Sequence, residues 1–577
     1  MADLLYQPSL LPEAWSDFVA GDHEPKADVT ISHGEVFTRP WVVELILDLA
    51  GYTADADLAL LRAVEPACGT GAFLLPMVRR LSESCRLHGR SIKEAAGAIH
   101  ATDLMPGHVE QARAGMAKVL IGDDWSAAQA ASLTNRWVQE GDFILGKDLG
   151  GTADFVLGNP PYVRSEEMAP SRLQAYRQAC PAMGGRADLF IAFFETGLRA
   201  LKEGGTLGFI CADRWMHNHY GGKLRAMIGD HFSVDTTIVM HNVDAFEEEV
   251  SAYPAVTMIR RLPQGSSIIA DTTATFGAED AGALVRWVKG ARSKPKRTDA
   301  FEVAQLPHWF TGTEGWPGGR PERLALVTDL AQRFPPLEGS DRRTRVRIGV
   351  ATGADSLFVT KDPELVEAER LLPLSMVRDT QQDRFEWSGH YLVDPWVSDD
   401  PPTRTHPLGG LVDLGAYPRL KSYFEAKAEA LRGRKRHFST WYQTIDRVDH
   451  SITVRPKLLF PDMKMTSRPV YEGGGYYPHH NLYYVVSDVW PLEVLGGLLL
   501  SQIADLFIKT YAVKMRGGTQ RFQAQYLRRI CVPPFDGIGE VDRKALADAF
   551  EDRDVERATG IALKLYGVSV STLSEVL

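Results

Sequence analysis

The chain has 577 residues, 44% hydrophobic and 24% charged, with a formal net charge of −10. That length implies two or more domains, each burying its own core, and the composition is that of a soluble globular protein. The negative balance offers a phosphate backbone no overall attraction, so nucleic-acid binding would need a local basic surface. Five scattered cysteines (Cys68, Cys85, Cys180, Cys211, Cys531) without a CxxC pair argue against a disulfide framework and against a zinc site, and fit a reducing, cytoplasmic setting.

Residues 1–30 are polar and irregular and read as an N-terminal extension without a signal-peptide pattern. Gly34-Glu35-Val36-Phe37-Thr38-Arg39-Pro40 leads into a helix over Trp41–Leu49, with Thr38 as the expected N-cap and Pro40 in its first turn. Arg62–Pro66 reads as a short strand carrying Glu65, followed by the turn Ala67-Cys68-Gly69-Thr70-Gly71-Ala72-Phe73 and a helix to about Leu87. Strand, glycine turn and helix form the nucleotide-handling unit of doubly wound folds. The turn lacks the third glycine of a dinucleotide fingerprint and the GK[ST] of a P-loop. The Glu65 carboxylate would repel a pyrophosphate, so the ligand here is expected to be cationic.

A second strand ends at Ala101-Thr102-Asp103, where an acid can accept hydrogen bonds from ribose hydroxyls. In Gly141-Asp142-Phe143, Asp142 is placed to receive an adenine amino group and Phe143 to pack on the ring. The apolar run Phe155-Val156-Leu157-Gly158 is a buried strand that stops in Asn159-Pro160-Pro161-Tyr162. Two prolines stiffen that loop, leaving the Asn159 side chain and the Pro160 carbonyl as acceptors beside an aromatic ring. The set suits a flat heterocycle with an exocyclic NH2.

Asp188–Leu201 reads as a helix with Phe190, Phe193 and Phe194 on its buried side, and Thr206–Ile210 as the next strand. Asp244-Ala245-Phe246 precedes an acidic turn and the strand Ala255–Arg260. The fold class is therefore α/β, a doubly wound, mostly parallel sheet, with the alternation ending near residue 262.

Residues 263–345 read as a connecting region containing the basic run Arg292-Ser293-Lys294-Pro295-Lys296-Arg297. Beyond it, residues 346–577 read as a mixed α+β domain. Its notable stretches are Ile348–Ala354, a Lys/Arg-rich helix over Pro418–Ser439, the cations Arg455, Lys457 and Lys464, the Gly/Tyr/His segment Gly473–Tyr484, and Lys514–Arg529 with Arg516-Gly517-Gly518. Basic runs interleaved with aromatics and glycines have the texture of a DNA-facing surface. His479 and His480, as strand neighbours, would point to opposite faces, so a shared metal is not expected and the pair reads as a phosphate or base contact, with a structural role as the alternative. The apolar run Val494–Ile508, interrupted by Gln502 and Asp505, reads as a buried helix and not a membrane span.

Over residues 34–262, taken as a connected series, the chain resembles the gamma-order, TaqI-type adenine-N6 DNA methyltransferases of restriction-modification systems. The resemblance implies S-adenosylmethionine across the strand ends, with its ammonium near Glu65 and Thr38, the turn Ala67, Cys68, Gly69 and Gly71 beneath it, its ribose on Asp103 and its adenine on Asp142 and Phe143, and with Phe193 lining the same pocket. It implies Asn159, Pro160, Tyr162 and Phe246 as catalytic residues acting on an adenine flipped out of double-stranded DNA, residues 31–262 as the catalytic domain, and 346–577 as a target-recognition domain. It further implies a prokaryotic, nucleoid-associated monomer working beside a separate restriction endonuclease. An RNA or protein-glutamine amino-group methyltransferase, which shares the Asn-Pro-Pro-Tyr loop, and a non-catalytic DNA-binding specificity protein stand as alternatives.

Overall fold

The computed structural model describes residues 36–248, 253–290, 294–310, 312–397, 410–434, 438–512 and 520–577. The expected extension 1–30, Gly34 and Glu35, Arg292 and Ser293, and Arg516–Gly518 lie outside the described residues.

A ten-stranded sheet organises the described residues from 36 to 306. Its strands are β1 Ala63–Glu65, β2 Ile99–Asp103, β3 Val138–Glu140, β4 Ala153–Gly158, β5 Leu201–Ala212, β6 Ser233–Val239, β7 Pro254–Arg260, β8 Ser267–Thr272, β9 Lys296–Arg297 and β10 Phe301–Leu306. They lie in the order β3-β2-β1-β4-β5-β7-β6-β8-β10-β9. The strands β3, β2, β1, β4 and β5 run parallel, as do β6 and β8, whereas β7 is antiparallel to both of its neighbours. The chain moves outward from β1 to β3 and then returns to the other side of β1 with β4. Such a reversal opens a crevice at the carboxyl ends of the strands.

Both faces of the sheet are covered. Phe155 and Leu157 of β4 join the core beneath the helix Pro40–Ala50, while Val156 joins the core beneath the helix Phe190–Ala200. This two-sided burial explains why β4 reads as an unbroken apolar run and not as an alternation.

The expected end of alternation at 262 is corrected. Ser267–Thr272 pairs parallel with β6, Phe301–Leu306 pairs antiparallel with β8, and the helix Ala278–Lys289 packs on the helix Pro40–Ala50. Of the basic run, Lys296–Arg297 belongs to the sheet, where Arg297 meets Glu302 at 2.9 Å across the β9–β10 pair. Residues 263–306 are thus the edge of the large sheet and not a connector.

The C-terminal half is mixed α+β. One antiparallel sheet runs Thr344–Ile348, Leu482–Ser487, Lys457–Pro461, Val470–Glu472. Val346, Leu458 and Val485 face a helical core, and Leu459, Val470 and Val486 face a second core. The apolar run near Val494 is two helices, Leu492–Leu500 and Gln502–Tyr511, parted at Ser501, whose backbone is extended. Both are buried, and no described helix is long and apolar enough to cross a membrane. The expected helix over Pro418–Ser439 is likewise two helices, Pro418–Ala426 and Ala428–Arg432.

Candidate active site

The crevice at the β1/β4 reversal is a cavity of about 270 Å³. Its wall contains Thr38, Glu65, Ala67, Cys68, Gly69, Asp103, Asp142, Phe143, Asn159, Pro160 and Phe193. Three residues expected at the site stand outside this wall: Gly71, Tyr162 and Phe246.

Glu65 ends β1 and is 1% exposed, and its Oε2 has no hydrogen-bond partner. Burial, and after it the charge of Asp103, holds its carboxyl well above the usual carboxylate range. Gly158 makes room for it, because a Cβ there would come within 2.9 Å of Glu65 Oε1. Beyond Glu65, Gly69 (φ +50°) and Gly71 (φ +105°) both occupy the left-handed half of backbone space, which a side chain disfavours. Gly71 accepts a hydrogen bond from Leu75 N, turning the chain into the helix Leu74–Leu87, and so shapes the turn without facing the cavity.

Asp103 closes β2 and already accepts from Gly69 N (2.8 Å), Met105 N (2.9 Å) and His108 Nδ1 (3.2 Å). A carboxylate has about four acceptor directions, so about one remains for a ligand. Asp142 is similarly engaged, by Ile144 N and Leu145 N on Oδ1 and by Tyr176 OH at 2.7 Å on Oδ2. Phe143 and Phe193 stack with centroids 5.8 Å apart and planes 21° apart, forming one aromatic wall.

The Asn159 amide is fixed from behind. Its Nδ2 donates to the Val36 carbonyl at 2.8 Å and to Thr38 Oγ1 at 3.1 Å. A carbonyl can only accept, so the NH2 must face Val36, and Oδ1 is left buried without a partner. Thr38 is therefore not the helix cap; Arg39 is, with no side-chain cap bond, and Pro40 takes the first position as expected. The reason is that Thr38 is extended, bridged to Phe246, which turns its hydroxyl toward Asn159. Arg39 N→Ala245 O, Glu247 N→Phe37 O and the Arg39–Asp244 ion pair at 2.5 Å complete this strap between 36–39 and 244–247.

Tyr162 and Phe246 meet edge to face, with centroids 6.1 Å and planes 81° apart, and Phe246 is 4% exposed. Planes so nearly perpendicular leave no parallel slot, because the strap seats Phe246 in the core. Tyr162 OH, like Asn159 Oδ1, is buried without a partner.

The sequence reading missed Tyr176, His108, Met168 and Arg172 of the wall. The signals available were Pro106 and Pro170, each opening a helix, the first carrying His108 and the second Arg172 and Tyr176. Two other expectations fail in the C-terminal half. Lys457 is wholly buried against Glu472, its cross-strand partner, so it faces no DNA. His479 and His480 do not point apart, since their ring centroids are 4.1 Å apart. Leu482 N donates to His479 O, which makes 479–482 a turn and removes the strand alternation.

A family model described as Eco57I restriction-modification methylase matches residues 115–246. Type II methyltransferase M.PaeR7I of Pseudomonas aeruginosa is 42% identical over 545 residues, covering 93% of this chain and 92% of its own length. Type II methyltransferase M.BstVI of Geobacillus stearothermophilus is 37% identical over 550 residues, covering 93% and 96%. The type IIL restriction-modification enzyme MmeI, solved in complex with DNA, superposes with a TM-score of 0.51 at 11% identity over 93% of this chain and 76% of that one, a likeness of fold alone.

Proposed function

The chain belongs to the type II methyltransferases of restriction-modification systems, and from that premise we propose that it methylates the N6 amino group of an adenine turned out of duplex DNA, with S-adenosylmethionine as donor. The observation that carries this reading is the Asn159 amide, clamped through its NH2 and presenting a buried, unpartnered oxygen to the cavity.

The residues present fit the donor. Glu65 holds an orphaned carboxylate oxygen where a ligand ammonium would be matched, Asp103 keeps acceptor capacity for a ribose hydroxyl, and Phe143 with Phe193 offers an apolar wall for a purine. When bound, S-adenosylmethionine supplies a methyl group on a positively charged sulfur. Asn159 Oδ1 and the Pro160 carbonyl accept hydrogen bonds from the two N–H groups of the target amino nitrogen, which loses one proton only after the methyl group has been transferred. The two hydrogen bonds draw the nitrogen toward tetrahedral geometry and free its lone pair from the ring. The clamp from Val36 and Thr38 means that Asn159 needs no reorganisation to do so, the condition under which fixed dipoles act most strongly. Tyr162, once its ring swings away from Phe246, supplies a stacking face; such contacts contribute roughly 1–3 kcal/mol per base. A base inside the duplex is out of reach, so extrusion is required.

Residues 346–577 read as the target-recognition domain in this scheme. The likeness to type II methyltransferases continues through them, which favours duplex DNA over an RNA or protein-glutamine amino group. A cavity at its start is lined by Arg345, Arg347, Arg528, Tyr483 and Tyr484; Arg347 and Arg528 are held by Glu338, which leaves Arg345 and the rings as the groups that suit phosphate and base edges. The enzyme acts as a monomer in the cytoplasm, beside a separate endonuclease of the same specificity.

The test is single-turnover methylation of duplex DNA, with the product nucleoside identified by mass spectrometry. Wild type should yield N6-methyladenine. Asn159→Ala should slow transfer by about 100-fold or more, as loss of a fixed acceptor does, while donor affinity stays within a few-fold. Label on cytosine, or an unslowed Asn159→Ala, would overturn the reading.

A further inference from the structure

Two stretches singled out in the sequence, Ile348–Ala354 and the pair His479-His480, find no use in methyl transfer, yet the fold brings them together. Val350 bridges His479 in parallel, with Val350 N→Pro478 O at 2.8 Å and His480 N→Val350 O at 3.0 Å. Gly349 permits the crossing, since a Cβ there would lie 2.2 Å from Pro478 O and 2.3 Å from His479 O. Gly353 (φ +74°) then turns the chain so that Asp355 comes back to the histidines, with its Oδ2 3.0 Å from His479 Nε2.

From this geometry we infer that Asp355, His479 and His480 form a binding site for a divalent transition-metal ion of the zinc class, which pins the 349–355 loop to the 478–480 turn. Each residue offers one ligand atom, and all three atoms lie within 4.8 Å of one another. A tetrahedral zinc shell with bonds of about 2.0–2.2 Å requires ligand atoms about 3.3 Å apart, so only a small closing movement separates the present arrangement from a coordinated one. His479 is 2% exposed, and its Nδ1 has no hydrogen-bond partner; Nδ1 of His480 is also buried and unpartnered. Two imidazoles in contact with unspent ring nitrogens are poorly explained by packing alone, because buried polar atoms are ordinarily paired. Two imidazoles and one carboxylate select zinc-class ions over magnesium or calcium, which take oxygen ligands. Asp355, at 45% side-chain exposure, leaves a solvent-facing position for water. None of the three residues lines the cavity around Asn159, so metal uptake and methyl transfer can be scored separately.

The experiment is calorimetric titration of the full-length, chelator-stripped protein with Zn²⁺, followed by X-ray absorption at the zinc edge. Wild type should bind about one equivalent through nitrogen and oxygen atoms at about 2.0–2.2 Å, with no sulfur, and should melt at a higher temperature with the ion than without it. Asp355→Asn, which keeps a side chain of the same size at a half-exposed position, and His480→Gln should each weaken uptake at least tenfold and abolish the melting shift. Absence of uptake by wild type, a sulfur-containing shell, or unchanged uptake in both folded variants would each overturn the site.

Discussion

Glu65 is a carboxylate with one oxygen unpartnered, and that isolation has a pH signature. Its carboxyl is held above the usual range, so the folded chain keeps this proton at pH values where an unfolded chain has lost it. Its contribution to stability is therefore full below the ordinary glutamate range and is lost as pH rises through the elevated value. A cationic ligand prefers the ionised form. Donor affinity, and the melting shift the donor produces, should climb over the same interval and then level off, with Glu65→Gln flattening the curve. Titration calorimetry from pH 5 to pH 9 checks this, and a pH-independent affinity in wild type would remove Glu65 from the ligand's contacts. Glu65, Asn159 and the positive-φ glycines were legible in the sequence because their chemistry is carried by adjacent residues. The clamp on Asn159 was not, since Val36 and Thr38 lie more than 120 positions away. Nor was the engagement of Asp142 by Tyr176, 34 residues on.

At the scale of elements, the buried Lys457–Glu472 pair gives the sharpest expectation. The two residues face each other across adjacent strands, 0% and 1% exposed, and Lys457 also donates to Tyr476 O. Removing one member leaves an uncompensated charge inside the sheet. Lys457→Met or Glu472→Leu alone should destabilise by about 3–5 kcal/mol, whereas the double change should recover most of that loss. Urea unfolding of the three variants measures it; additive losses would mean the pair is not coupled. The strand elements that could be read from the chain are those buried on both faces, such as β4. Those that were missed, β8 and β10, are as long as β4, but they pair antiparallel with each other and follow no glycine turn or acidic tip of the kind that marks the earlier strands. The same local blindness placed His479 and His480 on opposite faces, because a turn between strand-like runs leaves no mark in a Tyr/His-rich stretch.

At the scale of the molecule, the sheet that carries the site does not end where its sequence rhythm does. A chain cut after residue 262 would strip β8 from β6 and expose Ile238 and Val256, whose core is completed by Ile268, Ala270, Phe301 and Val303. Such a fragment should be insoluble or melt without cooperativity. A cooperative, donor-binding 1–262 fragment would show that the later strands are dispensable. The two halves are also joined directly: Gly318 N donates to Thr510 O at 2.8 Å, Arg529 Nη1 to Gly315 O at 2.6 Å, and Arg323 Nε to Val576 O at 2.8 Å. The first half was readable in outline and the second only in texture, because its strands are paired across as many as 143 residues.

The strap over residues 36–39 has a practical corollary for anyone producing the enzyme. The acceptor that grips the target is steadied by a carbonyl only four residues upstream of the helix Pro40–Ala50. A purification handle or reporter domain joined rigidly just ahead of Val36 would tug on the working amide itself, and could depress turnover while leaving the melting curve untouched.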